Sequence, residues 1–289
     1  MLHRVDASWK VRGGEQVPGP AGEPARLLIA GDTHGNLDWI GTLCKLAARH
    51  GCQGIVQLGD FGFWPDQQIW RSELRLVINN RWLDAVAAVA ARHNVWLRVL
   101  DGNHDAHPLA RDAYPADGNG VRPIRSGVID WADRGSIWSW CGRRFAALGG
   151  AVSIDKEWRR PEVSWWSTEE ITEAELRTVV DRAAGSRVDV LFTHDAPELP
   201  PGFRELSNPT LAAACRRSTQ IIEAAADELQ PEVLMHGHFH AGYQRLVGRP
   251  WGDYRVVGLA SDEEAADPYG GAWCVLELPS LRVLAHSEL

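Results

Sequence analysis

With 289 residues, 45% of them apolar and 24% charged, the chain is long and apolar enough to bury a sizeable globular core. Its net charge of -8 argues against non-specific nucleic-acid binding through a broad basic surface, leaving room for a local basic pocket only. No run is apolar enough for a membrane span or a secretory signal, and five scattered cysteines without a Cys-x-x-Cys pair point to reduced thiols in the cytoplasm.

Residues 1–24 are rich in Gly, Pro and charge and read as an irregular arm, with room for a short strand near Ser8–Val11. A single domain is expected over 25–289. The apolar run Leu27–Ala30 is its first buried strand and stops abruptly in Gly31-Asp32-Thr33-His34-Gly35. Leu37, Ile40, Leu43 and Ala47 then recur at helical spacing, with Gly51 as the stop. Gly54-Ile55-Val56-Gln57-Leu58-Gly59-Asp60 repeats the opening pattern of apolar strand, Gly, Asp. The aromatic loop Phe61-Gly62-Phe63-Trp64-Pro65 precedes a helix over 77–93, and Val95–Leu100 is a third strand running into Asp101-Gly102-Asn103-His104-Asp105. This alternation of strands and helices predicts an α/β fold with parallel strands under covering helices.

Residues 106–126, punctuated by Pro108, Pro115, Gly118, Gly120 and Pro123, read as loop, with His107 at its surface. Ser136–Trp140 and Arg144–Leu148 form a hairpin around Cys141-Gly142-Arg143, and the chain leaves it through the Gly-rich run Gly149–Lys156. Thr172 and Glu175 make a capping box, with Ile171 and Leu176 as its staple. Strand 187–193 ends in His194-Asp195, and Asn208-Pro209 opens another helix. Strand Val233–His236 ends in Gly237-His238-Phe239-His240, and the tail reads as antiparallel strands.

Five expected strand ends therefore carry metal-ligand residue types: Asp32/His34, Asp60, Asn103/His104, His194 and His238/His240. The carboxyl ends of parallel strands share one rim, so these clusters converge. Carboxylate, imidazole and amide without thiolate suit a divalent ion such as Mn, Fe, Zn or Ni. The set is too large for one ion. Asp32, His34, Asp60 and His240 can hold one, and Asp60, Asn103, His194 and His238 the other, with Asp60 bridging. His104 is left beside Asn103, where it can protonate a leaving oxygen. Asp105 either orients His104 or caps the following segment. Each residue also has an ordinary reading, as a turn Asp, a core His or an exposed strand face. Those readings must all hold at five strand ends at once.

Together, Gly31-Asp32-Thr33-His34-Gly35, Gly59-Asp60, Gly102-Asn103-His104-Asp105, Thr193-His194-Asp195 and Gly237-His238-Phe239-His240 resemble the calcineurin-like metallophosphoesterase family, in the family's order over residues 31–240. The resemblance implies two mixed β-sheets packed as a sandwich, flanked by helices, with two divalent metal ions at the strand C-terminal rim and Mn foremost. It implies hydrolysis of a phosphomonoester or phosphodiester by a metal-bridging hydroxide, without a covalent phosphoenzyme. Gly149–Asp155 and Ser164-Trp165-Trp166 look similar to a bacterial and phage branch of the family.

Protein phosphatases of this family usually follow the second motif with an Asp-Arg pair that grips substrate phosphate. Asp60-Phe61-Gly62-Phe63-Trp64 has neither residue, which counts against a protein Ser/Thr phosphatase. The acidic net charge counts against a nuclease, and the complete ligand set against a catalytically silent binding module. The expected partner is a small, nucleotide-like phosphoester. Phe63 and Trp64 are candidates for contact with its flat group. Arg159 and Arg160, with Lys156 or Arg125, are candidates for its phosphate.

Overall fold

The computed structural model describes residues 23–65, 79–262, 271–285 and 288. The short strand near Ser8–Val11 and the first residues of the 77–93 helix lie outside the described residues.

Side-chain alternation along the first strand sets the layering. In β1 (Arg26–Ala30), Leu27 and Ile29 enter the core between two sheets, while Leu28 and Ala30 enter a second core under helices. β1 pairs in parallel with β2 (Gly54–Gln57), and β2 with β3 (Trp96–Val99). β4 (Val121–Arg125), β5 (Ile129–Ala132), β12 (Trp273–Glu277) and β13 (Arg282–Ala285) complete this sheet in the order β13-β12-β1-β2-β3-β5-β4. Helices α1 (Leu37–Arg49) and α2 (Asn80–Arg92) cover its outer face. Ile40, Leu43 and Ala47 of α1 meet Leu83, Val86 and Ala90 of α2 in that core.

The second sheet runs β10-β11-β9-β8-β7-β6. Its strands are β6 (Ser136–Trp140), β7 (Arg143–Leu148), β8 (Val190–Thr193), β9 (Val233–His236), β10 (Tyr243–Arg249) and β11 (Gly252–Gly258). Phe145, Phe192 and Met235 face the first sheet, while Leu148, Leu191 and Leu234 face α4 (Glu173–Ala183) and α5 (Pro209–Leu229). The fold is a two-sheet sandwich with helices outside, as the resemblance implied. The capping box at Thr172–Glu175 is present, and Asn208 caps α5. Cys141 and Gly142 both have positive φ, 48° and 71°, as a tight hairpin turn demands.

Three expectations fail. Residues 106–126 are not all loop: they hold α3 (His107–Ala113) and β4. Pro108 sits in the first turn of α3, where a missing N–H costs nothing, and Pro123 lies on a strand at the sheet edge. His107 is buried, its Nε2 2.8 Å from Thr168 Oγ1, and is not a surface residue. The tail is not wholly antiparallel either, because β11 pairs in parallel with β9. Among the described residues, no helix is long and apolar enough to cross a membrane.

Candidate metal centre

The register of the parallel strands brings five chain segments to one rim. Ala30 lies beside Gln57, and Gln57 beside Val99, so the loops after β1, β2 and β3 leave at one level. In the second sheet, Phe192 lies beside Met235, which sets His194 next to Gly237. Three segments come from one sheet and two from the other.

The ligand atoms converge in two groups that share Asp32. Among the described residues, Asp32, His34 and His240 form one group, and Asp32, Asp60 and His194 the other, each within 4.8 Å. His34 Nε2 lies 4.0 Å from Asp32 Oδ2 and 3.8 Å from Asp60 Oδ2, and His240 Nε2 lies 3.2 Å from Asp32 Oδ2. On the other side, His194 Nε2 is 3.5 Å from Asp60 Oδ1 and 3.1 Å from Asn103 Oδ1. The His238 ring lies 5.1 Å from the His194 ring. Asp60 thus turns one oxygen towards each group. His194 Nδ1 is engaged by the Leu58 carbonyl at 2.7 Å, which turns Nε2 towards Asp60 and Asn103.

The backbone is strained where candidate ligands sit. His34 (φ 42°), Asp60 (φ 55°), His238 (φ 64°) and His240 (φ 51°) all occupy the left-handed region. Each such residue costs roughly 1–3 kcal/mol, and strain of this kind gathers at functional sites. The motif glycines answer a different need. A Cβ on Gly102 would lie 2.1 Å from Asp60 Oδ1, and one on Gly237 would lie 2.2 Å from Asp32 Oδ1. Only glycine lets the backbone approach the carboxylates this closely.

The residues present fit a cation. Asp32 Oδ1 accepts the His238 backbone N–H, but the buried Oδ2 has no hydrogen-bond donor among the described residues and faces the ring nitrogens of His240 and His34. A buried carboxylate oxygen without a donor is costly unless a positive charge meets it. Burial works to raise the Asp60 carboxyl, yet His194, His104 and His34 together hold it well below the usual carboxylate range. Burial likewise works to lower His194, but Asp60 and Asp32 push it up to about 10. The cluster draws positive charge inward, and a divalent ion supplies such charge. Oxygen and nitrogen donors without sulfur suit borderline to hard divalent metals.

A model described as calcineurin-like phosphoesterase matches residues 25–242, most of the chain. The chain belongs to the calcineurin-like phosphoesterase family. Two solved structures share the fold. TT1561 of Thermus thermophilus aligns at 13% identity and a TM-score of 0.53, over 91% of this chain and 98% of its own. A dimetal phosphatase from Danio rerio aligns at 14% identity and a TM-score of 0.53, over 91% and 97%. No curated protein matches the sequence.

In this calcineurin-like phosphoesterase, His104 stands at the rim with its ring 5.7 Å from that of His34. Its backbone N–H donates to Asp60 Oδ1 at 2.7 Å. Burial lowers the His104 pKa, and Asp60 on one side works against Arg159 on the other. Arg159 Nη2 meets both ring nitrogens of His104, while Arg159 Nε donates to Asp155 Oδ2 at 2.8 Å. Arg160 is exposed, with its backbone N–H on Ser164 Oγ. Trp64 is half-exposed and donates its indole N–H to the His104 carbonyl at 3.1 Å.

Three expected site residues do something else. The Asp105 carboxylate accepts the backbone N–H groups of Phe61, Gly62, Phe63 and Gly102, so it organises the aromatic loop and does not orient the His104 ring. A carboxylate accepts several amides at once, and those donors were waiting in the turn. Phe63 is fully buried, with ring contacts to Trp131 at 5.1 Å and Tyr114 at 6.3 Å, so it packs the core and cannot stack on a substrate. Arg125 is likewise engaged elsewhere, with Asp84 and Asn80. His236 is buried and bonded to the Tyr243 hydroxyl, a structural role.

Two residues that sequence reasoning missed reach candidate ligands, and a third backs one of them. Asp262 meets His34 Nδ1, Ser153 meets Asn103, and Glu169 meets Ser153. Ser153 lay within a flagged motif. Asp262 carries no local signal, because its partner is far away in sequence.

Proposed function

We propose that this protein hydrolyses a small phosphomonoester or phosphodiester, with a nucleotide-like substrate favoured, at a centre of two divalent ions with Mn foremost. The observation that carries the proposal is the pair of convergent ligand groups at one rim, with Asp60 turned to both and His104 alongside. Asp32, His34, Asp60 and His240 would hold one ion, and Asp60, Asn103, His194 and His238 the other. When bound, the ions supply Lewis acidity and a nucleophilic water at neutral pH. The strained ligand backbone keeps the donors fixed before substrate arrives.

His104 is the proton donor to the leaving oxygen. An entering phosphate sets negative charge beside its ring, offsets the effect of burial and lets the ring carry that proton. Arg159, held by Asp155 and set against His104, is the cation we assign to the phosphate in place of the one the Asp60–Trp64 loop lacks. Trp64 offers a flat face at the rim. We place this activity in a reducing, cytoplasmic setting, because the five cysteines are free thiols.

The test is turnover of aryl phosphate mono- and diesters by the full chain with added Mn. Chelation should abolish turnover and Mn should restore it. Arg159→Ala should raise KM at least about tenfold without changing metal content. A folded protein that binds no metal, or an Asp60→Asn variant as fast as wild type, would sink the proposal.

A further inference from the structure

The Gly149–Asp155 run and Glu169 contribute no metal ligand, yet they enclose the one ligand that depends on orientation. A side-chain amide presents an acceptor oxygen at one end and two donor protons at the other. Asn103 can meet a cation only with Oδ1. Its Nδ2 donates to Ser153 Oγ at 3.1 Å, which turns Oδ1 towards His194 Nε2 and the metal side. Ser153 is fully buried, and its backbone N–H donates to Glu169 Oε1 at 2.9 Å. Ser153 Oγ thus accepts from the amide while the Ser153 backbone is tied to Glu169, and with His194 Nε2 at the other end the amide is held one way round.

The position of Glu169 is fixed by a route that bypasses Asn103. The buried Arg134 donates Nε to Asp101 Oδ2 at 2.7 Å and Nη2 to the Glu169 carbonyl at 2.8 Å. Its Nη1 reaches the carbonyls of Thr168 and Glu170. Asp101 lies two residues before Asn103, so one guanidinium ties the Glu169 segment to the loop that carries the ligand. Gly150 N–H also donates to the Asp101 carbonyl at 2.8 Å, and a Cβ on Gly149 would lie 2.4 Å from that oxygen. The glycine pair permits this approach, which delivers Ser153 to the amide.

We propose that Ser153 and Glu169 are positioning residues that lock the Asn103 amide with its oxygen towards the second metal. This inference rests on the two-ion reading above. Outer partners of this kind change metal affinity roughly 10–100-fold.

Calorimetric titration of Mn into the chelator-stripped full chain tests it. Wild type should bind two ions. Ser153→Ala should weaken one of them roughly 10–100-fold and leave the other unchanged. An Asn103→Asp background separates orientation from packing, because a carboxylate presents an oxygen whichever way it turns. In that background Ser153→Ala should change affinity less than about threefold. Wild-type affinity in the single variant, or an equal loss in both backgrounds, would overturn the positioning role. A wild-type chain that binds fewer than two ions would instead bring down the two-ion reading, and this inference with it.

Discussion

His34 Nδ1 lies 2.8 Å from Asp262 Oδ1, across 228 positions of sequence. The other Asp262 oxygen accepts Asn36 Nδ2 at 2.9 Å, and Asn36 also caps α1 through Trp39 N–H. One carboxylate thus ties a candidate ligand to the helix that follows it. With Nδ1 so engaged, Nε2 is the nitrogen left for the metal. Asp262→Ala should lower Mn affinity or turnover roughly 10–100-fold. Metal titration beside a melting curve of the chelated protein checks this. A matching loss of stability without metal would indicate general disruption.

His104→Ala should lower kcat by roughly 10²–10⁴-fold while both ions still bind. A proton donor matters least when the leaving group departs easily. The loss should therefore shrink on nitrophenyl phosphate and grow on an alkyl phosphate. An equal loss on both substrates would remove His104 from the protonation step.

Phe63 and Trp64 are adjacent in sequence and should respond in opposite ways. Phe63 is fully buried against Trp131, so Phe63→Ala should cost roughly 3–5 kcal/mol of stability. Trp64 is half-exposed at the rim, so Trp64→Ala should act mainly on KM. Urea unfolding and steady-state kinetics on both variants give the comparison. A KM change for Phe63→Ala at unchanged stability would contradict the core assignment.

Burial pushes the Glu169 carboxyl from its ordinary 4.5 up to about 7. Between those values the folded protein keeps a proton that the unfolded chain has released. The contribution of Glu169 to stability therefore falls as pH rises through that window. The full effect is on the order of 3 kcal/mol. Glu169→Gln has no such proton to lose, so its stability relative to wild type should improve between pH 4.5 and pH 8. Urea unfolding of chelated protein at the two pH values measures this, and a difference that ignores pH would assign the slope to another group.

Much of the site was legible because ligand chemistry is local. Asp32, His34, Asp60, Asn103, His194, His238 and His240 each follow an apolar run at once, and the structure brings them to one rim. The capping box at Thr172 and the Asn208 cap were legible for the same reason. Asp105 does neither of the two things expected of it, orienting His104 or capping the following segment, because four backbone amides compete better for its carboxylate. Phe63 was misread because residues in a loop can still be core when the loop folds under a helix and a strand. β4 was hidden by Pro123, which looks like a breaker until its place at the sheet edge is known.

By itself the sequence determined the candidate ligand residue types, their place at strand ends and the glycines that let the backbone close on them. It did not determine which faces those strands share. β2, β3, β8 and β9 are each four buried residues long, and a wholly buried strand carries no alternation to say which side meets a helix and which a sheet. Only tertiary packing split the five ends between two opposed sheets, with Asp32, Asp60 and Asn103 on one side and His194, His238 and His240 on the other. That opposition brings Asp32 and Asp60 against His194, His238 and His240, because long-range hydrophobic contacts between Leu27, Ile29 and Leu58 and Phe192 and Met235 close the sandwich beneath them.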